Sequence, residues 1–204
     1  MPRLVLLSEA VRAVILPATP LLVPGLVPGR SPDPLAEVRE AVAAALARLI
    51  AASSSLPLVL APGPVPRHGR LRPSLAGSGI GDRWLPDDRT GRSSTYDDLP
   101  AAGTGASVAL LALAGVLGAR TGEIETIEVP PDGTGPEGSA AQLLRRATCL
   151  VVAGGGPAGG SGAMTDGIRA ALCVAGADAW TADHQVFERS SDHLPLEYRV
   201  TVLT

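Results

Sequence analysis

The sequence predicts an α/β three-layer sandwich with a central, largely parallel or mixed sheet. Two observations carry this expectation. Apolar runs of strand length recur at Val11–Leu16, Leu56–Ala61, Cys149–Ala153 and Leu196–Leu203, and segments with helical spacing stand between them. Parallel strands need such crossover segments, so the alternation favours a sheet covered by helices. A chain of 204 residues, 46% of them hydrophobic, suits one domain spanning 1–204 with a sizeable core.

Each element has its own warrant. Val11–Leu16 is a buried strand stopped by Pro17, and Leu4–Leu7 reads as a short strand or an extension of it. Pro17–Pro32 is too rich in Pro and Gly to be helical. A helix follows, with Ser31 or Asp33 as its cap, Pro34 in its first turn and Glu37 near its positive end. Leu35, Val38, Val42, Leu46, Leu49 and Ile50 form its core stripe, and Ser53-Ser54-Ser55 ends it. Pro62–Pro100 reads as one long loop. Ala101–Ala119 holds no charge, but its Ala, Gly, Thr104 and Ser107 content favours a buried helix, Thr104–Leu117, over a membrane span. In Glu123–Val129 acids alternate with Ile124, Ile127 and Val129, which predicts a partly exposed strand. Ser139–Ala147 is a short helix, and Ala163 to Ala175 a second one after the glycine loop Gly154–Gly162. The last strand puts Tyr198, Val200 and Val202 on one face.

Composition excludes several function classes. Aromatics are 2% of the chain, too few for base-stacking platforms. All 17 basic residues are Arg, so neither a Schiff-base lysine nor a Walker lysine exists. The absence of Lys and Asn fits a GC-rich coding bias. Net charge is −3 and the arginines are scattered, which gives no nucleic-acid partner. Cys149 and Cys173 lack CxxC spacing and read as two buried free thiols. Glu9 and Arg12 break the N-terminal apolar run, so a cytoplasmic location is expected.

One stretch points to a family. Pro17-Ala18-Thr19-Pro20-Leu21-Leu22-Val23-Pro24 resembles the first active-site loop of the class III extradiol ring-cleavage dioxygenase family, B subunit-like and of an actinobacterial type. Further pieces are similar in order and spacing: Leu60-Ala61-Pro62-Gly63-Pro64, Arg67-His68-Gly69, Gly77-Ser78-Gly79-Ile80-Gly81, Leu99–Leu111 and Leu150-Val151-Val152-Ala153-Gly154-Gly155-Gly156. The resemblance implies an iron site of two His and one Glu. Ala18 stands where the first His is expected, His68 is a loose match to the second, and no acid matches the third. A facial triad needs three converging ligands, so no Fe(II) cofactor is expected. The implied function is a small-ligand- or partner-binding relative without the metal chemistry, with Ala18, Thr19, His68, Gly154, Gly155, Gly156 and Ser161 around its pocket. Room is left for a small-molecule ligand and a homo-oligomer, but not for a membrane.

Other motifs compete. Weak metal candidates are His68, His184 and His193; the last two sit in a segment, with Asp183, Glu188 and Asp192, that reads as a solvated loop. An enzyme with a rearranged site would use His68 or this pair. Gly154–Gly159 is a GxGxxG before a helix, suited to a nucleotide or phosphate. Its ribose-binding acid would be Glu188, 29 residues after Gly159 rather than about 20. Gly77-Ser78-Gly79 and Gly160-Ser161-Gly162 are not hydrolase elbows. Asp82, Asp87, Asp88, Asp97 and Asp98 read as exposed charges paired with Arg83, Arg89 and Arg92.

Overall fold

Four buried parallel strands form the middle of the molecule. The computed structural model describes residues 10–26, 33–85, 98–154, 164–189 and 194–204. The strands are β1 (Ala13–Pro17), β2 (Leu58–Pro62), β3 (Arg67–Arg70), β4 (Glu125–Val129), β5 (Leu150–Gly154), β6 (Ala182–Glu188) and β7 (Glu197–Leu203). They make one seven-stranded mixed sheet in the order β3-β4-β2-β5-β1-β7-β6. β4, β2, β5 and β1 run parallel, while β3, β7 and β6 join by antiparallel pairing. β1, β2 and β5 are near-continuous apolar runs because both faces are covered.

The helices are α1 (Ala36–Ala52), α2 (Thr104–Leu117), α3 (Gly138–Arg146) and α4 (Asp166–Val174). On one face α1 and α2 pack onto Val14, Leu16, Val59, Ala61, Val151 and Ala153. On the other, α3 and α4 pack onto Ala13, Ile15, Leu58, Leu60, Ile127 and Val152. The alternation of side chains along each strand feeds the two cores in turn, which gives the three layers.

The expected stripe of α1 holds: Leu35, Val38, Val42, Leu46 and Leu49 are buried, with Ile50 packed at the margin. Asp33 accepts a hydrogen bond from the Leu35 N–H at 3.0 Å, although Leu35 itself takes the N-cap position. Ser31 lies outside the described residues, as does Leu4–Leu7. α2 is the uncharged helix, and it packs with nine of its residues buried, from Gly105 to Ala114. Gly105 lets it sit close, since a Cβ there would meet Pro62 at 3.3 Å and Ala153 at 3.4 Å. α4 approaches more closely still, where a Cβ on Gly167 would lie 1.8 Å from the Pro130 carbonyl oxygen.

Four expectations are corrected. β4 is an interior strand rather than a partly exposed one, and both Thr126 and Glu128 are fully buried. β3 lies inside the stretch expected to be one loop; its Arg-His-Gly-Arg sequence has no apolar period to reveal it. The segment around His184 is not a loop but strand β6, solvated along most of its length. Of the two thiols, Cys149 is buried and Cys173 is exposed.

Candidate functional site

The carboxyl ends of β1, β2, β4 and β5 lie along one edge of the sheet. β1 leads into α1 on one face, and its neighbour β5 leads towards α4 on the other. Adjacent strands whose connections leave on opposite faces open a crevice, the usual binding position in such sheets. Ala18 and Gly154 are brought together there: the Ala18 N–H donates to the Gly154 carbonyl at 3.0 Å. Ala18 is buried and offers only a methyl group. Thr19 caps the short turn Pro20–Leu22, its hydroxyl accepting from the Leu21 N–H at 3.4 Å. Gly155, Gly156 and Ser161 lie outside the described residues.

His68 is not part of this crevice. It sits on edge strand β3, four strands from β1, which at about 4.8 Å per strand is roughly 19 Å away. Its Nε2 is 3.1 Å from the Ser139 hydroxyl at the start of α3. His184 occupies the opposite edge strand, β6. Six strand spacings, roughly 29 Å, separate these two histidines, so they cannot share an ion. His193 lies outside the described residues. Among the described residues no three His, Cys, Asp or Glu side chains gather in a metal-holding group.

Glu128 is the polar residue that sequence reasoning missed. It lies near the end of β4, fully buried, and accepts from Arg67 Nε at 2.5 Å and from the Gly103 N–H at 2.7 Å. Gly103 is the N-cap of α2, so the carboxylate sits at a positive helix end. Gly63 and Gly103 leave it room: a Cβ on Gly63 would lie 2.8 Å from its Cβ, and one on Gly103 would lie 3.1 Å from its Oε1. Both carboxylate oxygens are engaged in the fold, so Glu128 is not a free metal ligand. The only sequence signal was an acid followed by Val129 and Pro130 at a strand end.

The two matched positions do not converge on an ion among the described residues: Ala18 lacks a donor atom and His68 is distant. Glu128, which the resemblance did not assign, is held by Arg67 and the helix end.

A second concavity carries more chemistry. Between α4 and the β1-β7-β6 end of the sheet lies a cleft of about 410 Å³. It exists because the sheet extends past α4, and no described helix covers that face of β6. Ile15, Leu172, Leu203 and Trp180 give it apolar surface, and Arg169, Arg199, His184 and Thr201 give it polar groups. His184 Nδ1 is 2.9 Å from the Thr201 hydroxyl, which orients the ring. Arg199 pairs with Glu197 at 3.1 Å, and its Nε is a buried donor without a partner. Arg169 pairs with Asp166 at 2.5 Å. The Arg12 guanidinium stands 5.9 Å from the Trp180 ring centroid. Cys173 also lines the cleft, donating to Asp178 Oδ1 at 3.4 Å. That hydrogen bond to Asp178 raises the thiol above its ordinary range and disfavours the thiolate.

The architecture defines an α/β three-layer protein with a mixed sheet. No protein-family model, no curated protein and no solved structure matches the chain.

Proposed function

We propose that this chain is a small-molecule-binding protein, resembling the B subunit-like extradiol dioxygenases in its first loop but working without that family's iron chemistry. Its ligand is a compact organic acid, seated in the cleft between α4 and the β1-β7-β6 end of the sheet. The observation that carries this reading is the pairing of two surfaces in one cleft. An indole and aliphatic floor accommodates a flat apolar body, and Arg169, Arg199 and His184 stand beside it, outnumbering the one carboxylate among the described lining residues, Asp178. Each guanidinium has more N–H donors than its single carboxylate partner uses, so it retains capacity for an anionic head group. Small-ligand sites generally combine an apolar lining with a few placed polar groups.

The absence of a ring-cleavage role in this reading rests on side chains. A methyl at position 18, a histidine four strands away and a carboxylate already engaged leave no converging ligands among the described residues.

Thermal-shift and calorimetric titration with benzoate and phenyl phosphate, against neutral benzyl alcohol, tests the proposal. Ligand at a hundredfold over Kd adds about 2.7 kcal/mol to stability. The acids are expected to shift the melting temperature and the alcohol is not. Arg199→Gln and Trp180→Ala are each expected to weaken binding. No shift with either acid at millimolar concentration, or shifts indifferent to both substitutions, would overturn it.

A further inference from the structure

The two edges of the sheet are unlike. β3 is four residues long and carries Arg67 and Arg70, the kind of short, charged edge that resists pairing. β6 is seven residues long, and Ala182–Val186 is exposed throughout. Val186 is 46% exposed in the middle of it. Among the described residues no strand covers its outer side.

The ladder with β7 fixes which backbone groups face outwards. Thr181 and Thr204 exchange both hydrogen bonds at 3.0 Å, and Arg189 donates to Leu196 at 2.7 Å. In antiparallel pairing the bonded positions alternate, so Thr181, Asp183, Gln185, Phe187 and Arg189 turn their backbone groups towards β7. Ala182, His184, Val186 and Glu188 therefore present theirs to the open edge.

We infer that β6 is a homodimer interface, in which two copies pair β6 antiparallel about a two-fold axis at Val186 and continue the sheet. The register follows from the side chains. A dyad at Val186 sets the two exposed valines against each other. It places His184 opposite Glu188 of the second copy on the cleft face, and Asp183 opposite Arg189 on the other face, where Arg189 also faces Glu37 of its own chain at 3.5 Å. Both charged pairings are favourable cross-strand neighbours. A dyad at Gln185 would oppose His184 to Val186, and one at His184 would oppose the two histidines. Neither offers a charge match. In the favoured register His184, Val186 and Glu188 exchange backbone bonds across the axis. Glu188 of the second copy then stands beside His184 at the rim of the cleft. The inference does not depend on what the cleft binds.

Sedimentation velocity of the full chain over a concentration series tests it, read with amide hydrogen exchange. The expected species has twice the 20.6 kDa chain mass. The His184, Val186 and Glu188 amides are expected to be protected in it. Val186→Pro removes an outward N–H at the axis without removing a β6-β7 bond. It is expected to weaken association by at least about tenfold. Val186→Lys sets two ammonium groups together and is expected to give monomers even if the proline variant misfolds. A monomeric wild-type chain across the series, a dimer surviving Val186→Lys, or rapid exchange of those three amides in the dimer would each overturn the inference.

Discussion

Arg67 on edge strand β3 stands directly opposite Glu128 on β4, and its Nε lies 2.5 Å from a carboxylate that is entirely buried. Breaking a buried pair by removing one member leaves the other charge uncompensated, at about 3–5 kcal/mol. Glu128→Ala also strips the Gly103 N–H of its acceptor. Urea denaturation is expected to show a loss in that range for Arg67→Ala, which strands the buried carboxylate, and a smaller one, about 1–3 kcal/mol, for Glu128→Ala, which leaves Arg67 34% exposed. Equal midpoints for wild type and Glu128→Ala would mean that the pair does not hold the end of α2.

Gly167 is where α4 meets the Pro130 carbonyl. A methyl group there would sit 1.8 Å from a backbone oxygen, which cannot rotate away. Gly→Ala in a helix ordinarily stabilises by about 1 kcal/mol. Here the sign is expected to reverse, with a net loss of about 1–3 kcal/mol from overpacking. Thermal melting of Gly167→Ala decides the sign.

Asp82 staples the loop before α2. It accepts from Arg72 Nη1 and from the Ser74 hydroxyl, each at 2.8 Å, so it is more than the exposed charge that its surroundings suggested. Burial works against its charge, but the hydrogen bonds from Arg72 and Ser74 and the charge of Arg72 outweigh it and lower the carboxyl below its ordinary value. A lowered folded value means that the stabilisation is complete above the unfolded value, about 3.9, and is lost as pH falls through the folded one. Asp82→Asn is therefore expected to lower stability at neutral pH and to flatten the decline below about pH 4. Melting temperatures from pH 2 to 7 would show parallel curves if Asp82 contributed nothing.

Only one thiol of the native protein is expected to react with iodoacetamide, because Cys149 is buried. Cys173 is expected to react more slowly than a free cysteine, since its hydrogen bond to Asp178 holds the proton on sulfur. Asp178→Asn is expected to raise the alkylation rate at neutral pH. Peptide mapping by mass spectrometry over time measures both, and an unchanged rate would separate the thiol from the carboxylate.

Much of the fold was legible because burial writes a period into the sequence. Val38, Val42, Leu46 and Leu49 on α1 and the run from Leu150 to Gly154 needed no tertiary knowledge. β3 and β6 left no such mark, for edge strands are solvated and their Arg, His and Gln pattern resembles a loop. Glu128 misled for a related reason: an acid beside an isoleucine reads as a wet face until Arg67, 61 residues earlier in the chain, folds back onto it. Of the residues expected around one pocket, the sheet order places two together and separates a third. Ala18 and Gly154 meet as the strand order requires, whereas His68 and His184 diverge because sheet order, rather than sequence order, sets their separation.

The position of β1 bears on how the chain is made. Both of its partners, β5 and β7, come late, and Ala13 finds its first neighbour only when Leu150 has been added. Through most of synthesis the segment Ala13–Pro17 is an apolar ribbon with two bare edges. Contacts so distant form slowly and leave sticky intermediates in the interval. A chain that ended before Leu150 would lack both partners of β1 and is expected not to close its own sheet.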